Sequence, residues 1–184
     1  TDMDAMGAMS GPFGGIDFLK DFPSLTTLHF ANNLWAGDFS TIKELKKLTT
    51  LDLSGNHIRD FSFLKELKEL TTLNLSGNFI SDFSFLEGMD KLTSLDLSNA
   101  HVTDCSSLKK LTSLTTLNLS GNHIKNFIFL ADLINLETLD VSDNNFADIV
   151  YQVSPISEEG ELMQTSDNDS QSIGAIRLLK KLKT

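Results

Sequence analysis

Cysteine is almost missing from this chain. Among 184 residues there is one, Cys105, so an intramolecular disulfide is excluded. Extracellular domains often lean on such bridges, so their absence favours an intracellular or bacterial setting. A cytoplasmic location is expected, with a bacterial cell surface or secretion as the alternative. No apolar run approaches the roughly 20 residues that a bilayer-spanning helix needs. No signal-peptide pattern opens the chain, although a processed mature chain would lack one too. Basic residues are also in deficit: 15 Lys and Arg against 25 Asp and Glu leave a net charge of −10. That balance argues against nucleic acid and membrane as partners. Missing too are a phosphate loop, H-E-x-x-H, G-x-S-x-G and paired catalytic carboxylates. With no convergent acid, base and nucleophile, the chain is expected not to be an enzyme and to use no cofactor or metal.

What remains is an ordinary composition, 40% hydrophobic and 22% charged, with ample length for one continuous core. Its organising stretch is Leu48 to Glu69, LTTLDLSGNHIRDFSFLKELKE, and the following Leu70 to Lys91 reads LTTLNLSGNFISDFSFLEGMDK, a period of 22. Six units start at Leu25, Leu48, Leu70, Leu92, Leu114 and Leu136, the first lengthened by one residue, for which Gly37 is the natural candidate. In each, a Leu-x-Leu core such as Leu51 and Leu53 has the period of a short strand, so stacked units would form one parallel sheet. Asn33, Asn56, Asn78, Asn122 and Asn144 fall where the chain leaves the strand, and buried amides there can bond unpaired backbone. Apolar positions continue through Ile58, Phe61, Leu64 and Leu67 and their equivalents. Asp38, Asp60, Asp82, Asp104, Asn126 and Asp148 precede the returning arm as N-caps. Lys43, Lys46, Lys65, Lys68, Lys109 and Lys110 come later in those arms, where a helix end prefers cations. A short α- or 3₁₀-helical turn on the convex side fits both.

The ends and one middle unit depart from the pattern. Residues 1–24 read as an N-terminal cap or degenerate half-repeat, with Met6, Ala8 and Phe13 in the Leu51, Leu53 and Ile58 positions; terminal repeats are expected to be atypical. Residues 25–151 hold the six units. Residues 152–172 read as an acidic mobile loop. In 173–184, Ile176, Leu178, Leu179 and Leu182 repeat the spacing of Phe61, Phe63, Leu64 and Leu67, as either a capping helix or part of a further repeat. In the unit from Leu92, Ala100 replaces the turn Asn, Cys105 a core Phe, and Ser107 the Phe63 equivalent. Asn99 is one residue out of register. Either the unit has drifted harmlessly or it leaves a dent that a partner uses. Cys105 reads as a small core residue rather than a nucleophile.

Units of the form L-x-x-L-x-L-x-x-N-x-I-x-x-F-x-x-L-x-x-L resemble the 22-residue leucine-rich-repeat class, which includes bacterial internalins and the leucine-rich regulatory subunit of protein phosphatase 1. The resemblance covers roughly residues 16 to 150. It implies an α/β fold: a right-handed curved solenoid with its parallel sheet on the concave face and short helical or 3₁₀ turns on the convex one. It also implies a role in binding other proteins. The chain departs from the internalins where it has Phe63 and Phe85 in place of Pro.

On each strand the residues flanking the buried leucines face the concave side. One column is Thr27, Thr50, Thr72, Ser94, Thr116 and Thr138; the next is His29, Asp52, Asn74, Asp96, Asn118 and Asp140; a third runs from Ala31 through Ser54, Ser76, Ser98 and Ser120 to Ser142. None contains Lys or Arg. Threonine ladders suit parallel strands on structural grounds alone. The functional alternative is a mildly acidic groove for a neutral or basic protein partner. Its aspartates would lie roughly 10 Å apart in alternate units, from a strand spacing of ~4.8 Å, too far to share a metal or a proton. The rim beside the sheet carries Leu34, His57, Phe79, His101, His123 and Asn145, with Trp35 next door. His101 and His123 should be neighbours, but two ligands do not make a structural zinc site. The candidate contact residues are therefore Thr50, Asp52, Thr72, Asn74, Asp96, Asn118 and Asp140 on the face, with His57, Phe79, His101 and His123 on the rim. Phe63, Phe85 and Phe129 are either packing residues between arms or an apolar docking patch. The leading reading is a non-catalytic protein-interaction module. The alternatives are the targeting domain of a larger enzyme or signalling protein, and a bacterial surface-adhesion domain.

Overall fold

Each Leu-x-Leu pair lies in or beside a three-residue strand, short because only the alternating Leu is buried before the chain must turn. The strands are β1 (Asp2–Asp4), β2 (Thr27–His29), β3 (Thr50–Asp52), β4 (Thr72–Asn74), β5 (Ser94–Asp96), β6 (Thr116–Asn118) and β7 (Thr138–Asp140). A computed structural model describes residues 2–4, 15–33 and 37–144, and in it these strands form one sheet in sequence order, every pair parallel. Register follows the repeat: Leu51 pairs with Leu73, Leu73 with Leu95 and Leu95 with Leu117. The first strand departs from expectation, since Met3 rather than Met6 stands opposite Leu28. Met3 and Leu28 are 25 residues apart, against 23 for Leu28 and Leu51 and 22 for Leu51 and Leu73, which spacing carried back from the regular repeats does not reveal.

The core is a stack of like residues. Leu28, Leu51, Leu73, Leu95, Leu117 and Leu139 form one buried column, and Ile42, Leu64, Leu86 and Leu108 form another on the opposite, returning side. Phe63, Phe85 and Phe129 are buried as well, with Phe39 stacked on Phe63 at 5.8 Å and Phe61 beside Phe85 at 5.2 Å between ring centres. They are packing residues between arms, as aromatic pairs at these distances prefer.

Polar ladders tie one unit to the next. The amide of Asn78 donates to Leu53 O of the preceding unit at 2.9 Å and to its own Leu75 O at 3.0 Å, while its oxygen accepts Ile58 N–H at 2.7 Å. Asn56, Asn122 and Asn144 repeat this arrangement. A second ladder uses the other threonine column: the hydroxyls of Thr71, Thr93 and Thr115 each donate to the carbonyl 22 residues earlier at 3.1 Å. A third feature is a column of left-handed backbone at the turn, occupied by Asn32, Gly55, Gly77, Asn99, Gly121 and Asp143, with φ between 52° and 66°. Gly121 is required there twice over, since a Cβ would also sit 2.2 Å from Asn99 Oδ1.

The convex arms are 3₁₀-helical, including Ser40–Glu44, Ser62–Glu66, Ser84–Leu86, Ser106–Lys110 and Ile128–Asp132. Asp38, Asp60, Asp82 and Asp104 do cap their arms, but from one residue before the flanking position, which a Phe or Cys occupies. Asp38, Asp60, Asp82 and Asp104 accept the N–H of Ser40, Ser62, Ser84 and Ser106 at 2.7, 2.8, 3.0 and 2.8 Å. Lys43, Lys65, Lys109 and Lys110 stand in the last turns as expected, whereas Lys46 pairs with Glu66 across units at 3.0 Å. Asp148, the segments 152–172 and 173–184, and the N-terminal Ala8 and Phe13 lie outside the described residues.

In the unit from Leu92, Ser107 is exposed where Phe63, Phe85 and Phe129 are buried in their own units. Ala100, Val102 and Cys105 are all buried, and Asn99 takes the left-handed turn position that glycine holds in its neighbours. Where other units use the Asn oxygen, Ile80 N–H instead reaches the Ala100 carbonyl at 3.0 Å. Burial among apolar groups pushes the Cys105 thiol up to about 12, with Asp104 adding to the effect, which leaves it a core residue and not a nucleophile.

Candidate functional site

The concave columns form as the pattern requires. Thr27, Thr50, Thr72, Ser94, Thr116 and Thr138 pair in register, and so do His29, Asp52, Asn74, Asp96, Asn118 and Asp140. Asp52, Asp96 and Asp140 thus line up along one surface in alternate strands, roughly 10 Å apart at ~4.8 Å per strand. Most of these side chains are half-buried, because their neighbours crowd them on a concave sheet.

The acidic column carries a structural duty that the sequence reading missed. Oδ1 of Asp52, Asn74, Asp96, Asn118 and Asp140 accepts the N–H of the serine two residues on, at 2.8–3.0 Å. These Asx turns end each strand by satisfying an amide on the side of the preceding strand that the ladder leaves unpaired. The signal was visible as the repeated D/N-L-S triplet. Asp96 and Asn118 are also joined directly, Asn118 Nδ2 donating to Asp96 Oδ2 at 3.2 Å. One oxygen of each aspartate is committed to the fold, and at Asp96 the second is engaged as well, by Asn118.

Along the rim, His57, Phe79, His101 and His123 make a continuous row of rings. Centre-to-centre distances are 5.8 Å for His57–Phe79, 4.8 Å for Phe79–His101 and 6.3 Å for His101–His123. Phe79 and His101 are nearly parallel, 10° apart, and the Arg59 guanidinium sits 5.0 Å from the Phe79 centre. The three histidines are exposed, but Phe79 is half-buried and already engages both His101 and Arg59. The imidazoles are therefore the more exposed part of the rim. His57 and His101 also hold φ of 59° and 57°, a backbone strain that no sequence pattern announced. Leu34, Trp35 and Asn145 lie outside the described residues. No helix among the described residues is long and apolar enough to cross a membrane.

A one-strand-per-turn parallel sheet, an asparagine ladder and 3₁₀ return arms define a leucine-rich-repeat solenoid. The family model for leucine-rich repeats (two copies) matches residues 23–66, 46–88, 68–110, 90–132 and 112–152, so the chain belongs to that family. Its repeats are of the internalin type. Internalin C2 of Listeria monocytogenes is 31% identical, with 74% of this chain and 62% of that one covered and a TM-score of 0.64. The internalin InlF of the same species is 24% identical over 71% of this chain and 44% of that one, TM-score 0.56. The plant peptide hormone receptor RGFR1, solved in complex with RGF2, shares the fold at 20% identity, covering 78% of this chain and 22% of that one, TM-score 0.56. This chain thus spans less than two thirds of the internalins it resembles. No curated protein matches it.

Proposed function

We propose that the chain is a non-catalytic module that binds a neutral or basic protein segment on its concave face, with the histidine rim contributing contacts. A protein-interaction role accords with membership of the leucine-rich-repeat family. The observation that carries the finer reading is the register of Asp52, Asp96 and Asp140 along a face whose three outward columns contain no Lys or Arg. Such a surface attracts cationic groups and penalises anionic ones, so it selects partners by charge as well as by shape. Thr50, Thr72 and the intervening Asn74 and Asn118 supply hydrogen-bonding groups between the charges. The test is affinity capture with the wild type beside an Asp52→Lys, Asp96→Lys double variant. Selective loss of a partner from the variant is expected; partners retained equally by both would overturn the groove reading.

A second reading is that the module serves as the adhesion or targeting part of a longer polypeptide. It is favoured by the chain covering only 62% of internalin C2 and 44% of InlF. Likeness to internalins also favours a bacterial surface or secreted setting over the cytoplasmic one expected from cysteine usage. The full-length reading frame separates these possibilities.

A further inference from the structure

The rim row places two imidazoles on consecutive units with no ring between them. His101 and His123 are both exposed, their ring centres 6.3 Å apart and their planes inclined by 52°. Their backbones are held in place. Both follow strands in strict register, and His123 N–H donates to Val102 O at 2.9 Å. The His101 ring is further fixed by its stack on Phe79. An ion bonded to one nitrogen of each imidazole holds the two ring centres roughly 5–6.5 Å apart, given metal–nitrogen bonds of about 2.0–2.1 Å. The observed separation lies at the upper end of that range, where the two nitrogens bond the ion from nearly opposite sides, and rotation of the two exposed side chains brings the rings closer for a bent arrangement.

We propose that His101 and His123 form an open two-histidine chelate for a late first-row divalent ion. Imidazole suits Cu²⁺, Ni²⁺ and Zn²⁺, and the general order of divalent affinities puts copper first. Among the described residues no third His, Cys, Asp or Glu closes the site, so it is not a structural zinc centre. Its remaining coordination positions go to water, or to a donor carried by whatever molecule lies along the rim. His57 is excluded by its place in the row, because Phe79 stands between it and His101. The site is independent of the acidic groove, and either can stand without the other.

The experiment is a calorimetric titration with CuCl₂, then ZnCl₂, at a pH of about 8, where imidazole nitrogens are free to bond a metal. Wild type is compared with His101→Asn, His123→Asn and His57→Asn. Asparagine is chosen because it tolerates the left-handed backbone at 57 and 101, and circular dichroism establishes that each variant is folded. One copper per chain is expected, bound more tightly than zinc. Either His101→Asn or His123→Asn should weaken copper binding at least about tenfold, since each removes a donor held at high effective concentration. His57→Asn should leave it unchanged. The proposal is overturned by no one-to-one binding at up to about 1 mM metal, by unchanged affinity in either variant, or by an equal loss in His57→Asn.

Discussion

Replacing the buried ladder residue in Asn78→Ala isolates the bonds that join one turn of the solenoid to the next. Asn78 is 0% exposed, and its side chain makes four hydrogen bonds: to Leu53 O, Leu75 O and Ser76 O at 2.9, 3.0 and 3.3 Å, and from Ile58 N–H at 2.7 Å. A buried donor left without an acceptor costs about 1–3 kcal/mol, and each net hydrogen bond is worth about 1 kcal/mol. The sum is about 3 kcal/mol or more. For a chain of this size, that lowers the melting temperature by about 6–12 °C. Urea denaturation followed by circular dichroism measures it. The molecule contains its own counterexample, because at Ala100 the Ile80 N–H is satisfied by a backbone carbonyl instead. If position 78 relaxes in that way, the loss falls below about 1 kcal/mol, and the claim that the amide ladder carries the inter-unit coupling is refuted.

Three further outcomes are expected. Backbone N–H donation from Ser40 and Ser62, followed by their hydroxyls, holds Asp38 and Asp60 below the usual 3.8, and at Asp82 the Ser84 hydroxyl leads with its N–H second. Because these folded-state values are depressed, their contribution is present above the unfolded value and is lost as pH falls below about 3.8. Urea midpoints should therefore drop in that acid range, and the triple Asp→Asn variant at 38, 60 and 82 should show a flatter profile; an identical profile would contradict the assignment. Cys105 should resist a thiol reagent at neutral pH in the native protein and react at once in urea, since burial suppresses its thiolate. Charge reversal at Asp52 and Asp96 removes two Asx-turn acceptors and should lower the urea midpoint while the chain stays folded by circular dichroism; capture of a basic partner should be abolished, and a partner retained in full would argue for another surface.

Nearly all of the repeat architecture could be read before any coordinates, because one 22-residue pattern dictates the same burial again and again. Leu51, Leu73 and Leu95 need a common interior, and only stacking in register supplies it. The asparagine ladder was legible for the same reason. What escaped was chemistry with two candidate explanations. Asp52 and its column looked like a surface for a partner, yet each member also ends its own strand through the serine two residues on. The hydroxyls of Thr49, Thr71, Thr93 and Thr115 link the units, a role that the sequence does not distinguish from that of the neighbouring threonines facing the groove. The position of β1 was misjudged by three residues, since an irregular first unit carries no period to count from.

Among the described residues, the hydrogen bonds that cross between units join adjacent turns, so this molecule has the mechanics of a leaf spring rather than of a ball. Flexing the arc asks each leaf to yield by a little, and no single hinge has to absorb the whole bend. The leaf at Ala100 is fastened to the one before it by a backbone carbonyl where its fellows have a side-chain clasp, and to the one after it by Asn122.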